Sequence, residues 1–79
     1  MGIAQSEAEL AERTSRFLKA ELKRANVTYE ELAQRLEKYG FEETKASIAN
    51  KLARATLSAH FLLASLAAIP VSHVRLEDI

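Results

Sequence analysis

TYEELAQRLEKYGFEETKASIANKLARATLSAHFLLASLAAI, from Thr28 to Ile69, is the stretch whose reading decides the fold. Thr28 with Glu31 three residues on is a capping box, so a helix opens there. Leu32, Ala33, Leu36 and Tyr39 recur at helical spacing and make its inner face. Gly40 supplies the left-handed stop, and Phe41 is placed to pack back on the helix end, as in a Schellman motif. Glu42-Glu43-Thr44 forms the turn and opens a helix running from about Thr44 to Arg54, its acids suiting the positive end of the helix dipole. Ile48 and Leu52 anchor that helix inward, with Lys45 and Lys51 on its flanks. Ala46, Ser47, Asn50 and Arg54 point the other way. Ser58 caps a last helix, and Pro70 ends it because proline cannot continue the ladder. The stretch is therefore three helices joined by short turns, the first two in a helix-turn-helix arrangement.

Working outward, Ser6 and Glu9 make another capping box, and Met1–Gln5 before it is expected to fray. Leu10, Phe17, Leu18, Leu22 and Ala25 form an apolar stripe, and Asn26 suits a helix stop. Thr14-Ser15 leaves open a break that would detach an N-terminal helix. Beyond Pro70, Val71 to Leu76 alternates apolar and polar. That pattern fits a short extended tail lying on the domain or pairing with a second copy. The expectation is one all-α domain, a compact four- or five-helix bundle. Residues 1–15 are an N-terminal helix extension, 16–69 the helix-turn-helix core and 70–79 the tail.

Composition excludes more than it assigns. The chain has 79 residues and no cysteine, so its core is small and has no disulfide staple. No apolar run approaches the roughly 18 residues of a membrane span. The N-terminus lacks the basic-then-apolar pattern of a secretory signal, which makes the cytoplasm the expected location. Formal net charge is zero, which counts against a strong non-specific nucleic-acid binder. Residues 16–56 nonetheless hold nine Lys/Arg against six Glu, a local excess of +3.

LKAELKRANVTYEELAQRLEKYG, residues 18–40, resembles the opening of phage-repressor-like (Cro and Xre type) helix-turn-helix domains, lambda-repressor-like in fold. Leu32-Ala33 stands where that family has its Leu-Ala pair. Residues 48–69 resemble the end of the family's recognition helix, its loop and its apolar helix. The chain departs from the pattern in a turn about three residues longer after Gly40. It also has Ala55 where glycine is common, and an Ile48–Leu52 spacing displaced by one. More closely, the chain resembles a family of short bacterial proteins catalogued as a domain of unknown function. The shared features are YEELA, Glu-Glu-Thr, Lys51 to Arg54 and Phe-Leu-Leu in the last helix. That likeness implies the fold and no activity.

The candidate site follows from the outward face of the third helix. Arginine reads guanine and asparagine reads adenine by paired hydrogen bonds, so Ser47, Asn50 and Arg54 are the expected base contacts. Ala46 and Ala53 on the same face would let the backbone approach closely. Lys19, Lys23, Arg24, Lys45 and Lys51 are the expected phosphate contacts, against the alternative of locally paired surface charge such as Lys23 with Glu30. Glu42 and Glu43 oppose DNA at that helix end. A helix apolar on most sides is a core helix or a dimer surface, so Phe61, Leu62, Leu63, Leu66 and Ile69 are the expected dimer interface. His60 and His73 are the only histidines, too few for a zinc site. No catalytic constellation, metal site or cofactor is expected. The expected function is a homodimeric DNA-binding regulator of transcription. The alternative is a helical protein-interaction module, an adaptor or antitoxin-like partner of an unknown protein.

Overall fold

The computed structural model describes residues 6–79, so the expectation for Met1–Gln5 lies outside the described residues. Four α-helices follow one another: α1 Glu7–Ala25, α2 Tyr29–Leu36, α3 Lys45–Arg54 and α4 Ala59–Ala68. Single 3-10 turns lie at Glu37–Tyr39 and Leu76–Asp78, and no strand occurs among the described residues.

Every helix opens on a side-chain cap. The hydroxyls of Ser6, Thr28, Thr44 and Ser58 each accept from the backbone amide three residues on. Each satisfies one of the donors that a helix start leaves unpaired. Three ends close alike. Asn26, Gly40 and Ala55 take the left-handed conformation, with φ of 60°, 87° and 55°. In each, the left-handed residue and its successor donate back into the last turn. Examples are Gly40 N to Glu37 O at 2.9 Å and Phe41 N to Leu36 O at 3.3 Å. These are Schellman pairs. The third has no glycine, so Ala55 tolerates a conformation that L-residues disfavour.

α1 runs unbroken through Thr14-Ser15. Thr14 Oγ1 donates back to Leu10 O at 2.8 Å, and buried Ser15 donates its hydroxyl to Leu52 O at 2.5 Å. Ser15 therefore pins α1 to the end of α3 instead of breaking the helix. The buried core is Leu18, Leu22, Val27, Leu32, Ala33, Leu36, Ile48, Leu52, Phe61, Leu66 and Ile69. Leu10 stays 43% exposed, so the expected α1 stripe begins in effect at Phe17. Tyr39 is likewise outside the core, at 44% exposed. After Leu36 the helix tightens to 3-10 winding, which changes the angle between successive side chains and turns Tyr39 outward. Phe41 takes the inner place, edge-on to Phe61 with ring centroids 6.0 Å apart.

α4 corrects the expected dimer interface. Phe61, Leu66 and Ile69 are 1%, 6% and 6% exposed within a single chain, so they serve its own core. Leu62 is half-buried against that core, and only Leu63, at 66%, faces outward. The reason is geometric: α4 packs on both α1 and α2, so most of its circumference is already covered. Arg35 ties α2 to the end of α4, donating to Ala68 O at 2.9 Å while pairing with Glu31 at 2.7 Å. After Pro70 the chain carries no strand and lies on α1, with Val71 and Val74 packed against the core.

Candidate functional site

The outward face of α3 is a polar surface that the chain's own packing leaves exposed. Ile48 and Leu52 are buried, which fixes the rotation of the helix. Ala46, Asn50, Ala53 and Arg54, on the opposite side, are all exposed. Two alanine methyls there leave the helix backbone approachable, and Asn50 and Arg54 stand one turn apart. Lys45 is exposed at the helix start. Neither Asn50, Arg54 nor Lys45 is engaged in a hydrogen bond or ion pair among the described residues.

Ser47 plays a different part from its expected one. Its hydroxyl accepts from Thr44 N at 2.8 Å and reaches Glu43 Oε1 at 2.6 Å, while Ser47 N donates to Thr44 Oγ1 at 3.0 Å. That is a reciprocal capping box, with serine in the place usually taken by Glu or Gln. Its oxygen is therefore committed to holding the start of α3. Lys51 is committed too: its ammonium is bonded to the Glu43 carboxylate and lies 4.7 Å from the centre of the Phe61 ring. Burial by itself pushes the Glu43 carboxyl up. The hydrogen bonds from Lys51 and Ser47 outweigh it and hold the carboxyl below its ordinary value. Glu43 is thus turned inward, ionised and neutralised, with its side chain only 8% exposed. Glu42 is the acid that remains exposed at this end.

The remaining expected phosphate contacts lie on α1. Lys19 and Lys23 are exposed and unpaired among the described residues, so the anticipated Lys23–Glu30 pair is not made. Arg24 is paired with Glu21 at 2.7 Å. Arg16 and Lys19 border a shallow cleft with Ala53 and Ala55, so this flank of α1 adjoins the end of α3. Among the described residues, the cations without a carboxylate partner are Lys19 and Lys23 on α1, Lys45 and Arg54 on α3, and Lys38 in the 3-10 turn, whose ammonium lies 5.3 Å from the centre of the Tyr39 ring.

His60 stacks on Phe41, ring centroids 5.9 Å apart, and His73 lies beside Ser72 at 3.2 Å. Among the described residues no group of three or more His, Cys, Asp or Glu is placed to hold a metal ion. No helix among them is long and apolar enough to cross a membrane. Arg35 and Ser15 were missed as positioning residues. The Glu31–Arg35 spacing signals the ion pair, but nothing near either residue in sequence signals its carbonyl acceptor.

A family model described as Domain of unknown function (DUF6471) matches residues 10–74. No curated protein and no solved structure matches the chain significantly.

Proposed function

The chain belongs to the DUF6471 family, whose description assigns no activity, and from its own geometry we propose that it is a small DNA-binding protein acting as a homodimeric transcriptional regulator. α2 and α3 then form a helix-turn-helix, with α3 in the major groove and two copies reading half-sites about one helical turn apart. The observation that carries this reading is the α3 face itself. Asn50 and Arg54 are exposed and unengaged among the described residues on a face shared with exposed Ala46 and Ala53, with unpaired Lys45 at the start of the helix and Lys19 across a shallow cleft from Ala53. Asn50 and Arg54 read bases, and Ser47 holds the helix start from which they project. Lys19, Lys23 and Lys45 take phosphates, while Arg24 and Lys51 must leave a carboxylate to do so. The internal pairing of Glu43 removes one of the two acids that would repel a phosphate backbone at this end.

The test is selection from a random duplex library with the purified chain, followed by anisotropy on the enriched site. Arg54→Ala should lose about 1–3 kcal/mol of specific binding. Lys19→Ala should weaken all sequences alike and reduce the salt slope by about 1. If no site is enriched, the reading is wrong. A second reading, a protein-interaction module, draws on the zero net charge and on exposed Leu63. In that case Leu63→Glu abolishes a protein complex while DNA binding is absent throughout.

A further inference from the structure

The two flanks of the outward α3 face carry different chemistry. At roughly 100° per residue, Asn50 falls opposite the midpoint of buried Ile48 and Leu52 and so crowns the face. Ala46 and Ala53 lie to one side of it and Ser47 and Arg54 to the other, each within about 60°. All of these are exposed except Ser47, which is half-buried. The Ser47 hydroxyl is occupied by Thr44 N and Glu43, and the Lys51 ammonium next along that flank is also bonded to Glu43. The guanidinium of Arg54 is therefore what this flank offers. The other flank offers the methyls of Ala46 and Ala53 and no hydrogen-bonding side chain. A ligand thus meets three groups in a set order across the helix: methyl, carboxamide, guanidinium.

We infer that the DNA element this face takes holds a thymine, an adenine and a guanine in the matching order, with the thymine and the guanine on opposite strands. In the major groove thymine presents its C5 methyl, adenine an acceptor at N7 beside a donor at N6, and guanine two acceptors, O6 and N7. The alanine methyls match the first. Asn50, with a donor and an acceptor in one carboxamide, matches the second, and Arg54, with donors only, matches the third. Cytosine offers a lone donor, which leaves half of Asn50 unpaired and turns a donor toward Arg54. Asn50 and Arg54 stand about 6 Å apart along the helix axis, so adenine and guanine lie within about two base-pair steps of 3.4 Å. A helix lying along the groove turns one flank to each strand, which separates the thymine from the guanine. This base content rests on the DNA reading above and adds which bases are read and from which strand. Lys19, Lys23 and Lys45 add no preference, because phosphate contacts carry no sequence information.

The test takes the site enriched from the random duplex library and changes single atoms of the DNA. Uracil in place of thymine deletes the C5 methyl, and the 7-deaza purines delete N7 of adenine or guanine. Anisotropy at fixed salt reads the affinity. Each 7-deaza purine should weaken binding roughly fivefold or more, and uracil should weaken it on the strand opposite the guanine only. In Arg54→Ala the 7-deazaguanine penalty should vanish, and in Asn50→Ala the 7-deazaadenine penalty, while the uracil penalty persists in both. Both side chains are exposed and unengaged among the described residues, so neither change removes a contact of the fold, which circular dichroism checks. An enriched site that lacks the thymine, carries it on the guanine strand, or tolerates the three atom deletions overturns the inference and leaves the DNA reading standing. Enrichment of no site overturns both.

Discussion

Replacing Ala55 by glycine should stabilise this chain, although glycine is ordinarily the worse residue at a helix. Ala55 sits at φ 55°, ψ 45°, and closes α3 by donating to Leu52 O at 3.3 Å, while Thr56 donates to Lys51 O at 3.1 Å. A side chain with a Cβ pays about 1–2 kcal/mol in this left-handed region. Glycine removes that cost but gives back about 0.4–1 kcal/mol through the greater freedom of its unfolded chain. The difference is roughly 0.5–1 kcal/mol in favour of Ala55→Gly. For a domain of this size that is a rise in Tm of about 3–6 °C. The control is Ala49→Gly, in the middle of the same helix, where the same change should destabilise by about 1 kcal/mol. Urea titration and thermal melts followed by circular dichroism measure both. Opposite signs for the two substitutions support the reasoning. If Ala55→Gly lowers stability as Ala49→Gly does, the left-handed closure of α3 is refuted.

Other outcomes follow from single contacts. Glu43→Gln should cost about 1 kcal/mol by weakening a charge-assisted bond that is only partly shielded from water. The folded carboxyl titrates below its ordinary 4.5, so its contribution is complete above that value and lost as pH falls through the lower folded value. Urea midpoints of the parent should therefore fall at acid pH more steeply than those of the variant. Ser65 is 0% exposed and its hydroxyl has no hydrogen-bond partner among the described residues, so Ser65→Ala should be neutral or stabilising by up to about 1 kcal/mol in the same titration. Arg35→Ala removes the donors to Ala68 O and Glu31 and should cost about 1–2 kcal/mol. Faster amide exchange confined to the end of α4 would be its local sign.

What could be read without the tertiary structure was whatever depends on a few neighbouring residues. Ser6, Thr28, Thr44 and Ser58 start helices because a hydroxyl there reaches an amide three residues on. Asn26 and Gly40 stop them because both tolerate a positive φ, and Pro70 follows the last helix because it has no amide to donate. The buried pair Ile48 and Leu52 likewise follows from spacing, and with it the outward place of Asn50 and Arg54. The decisions left to the tertiary structure are those in which two orientations satisfy the local pattern equally. Ser15 could have broken α1, but a carbonyl 37 residues away accepts its hydroxyl. Tyr39 and Phe41 compete for one inner place, and the winding after Leu36 gives it to Phe41. α4 is apolar on nearly every side, so its sequence cannot say which side is left over. Only its packing on α1 and α2 puts Phe61, Leu66 and Ile69 inside and Leu63 outside. Charges divide in the same way. Whether a lysine is free, like Lys19, or spent on a carboxylate, like Lys51, depends on partners that folding brings to it, because ion pairs act through space and not along the chain.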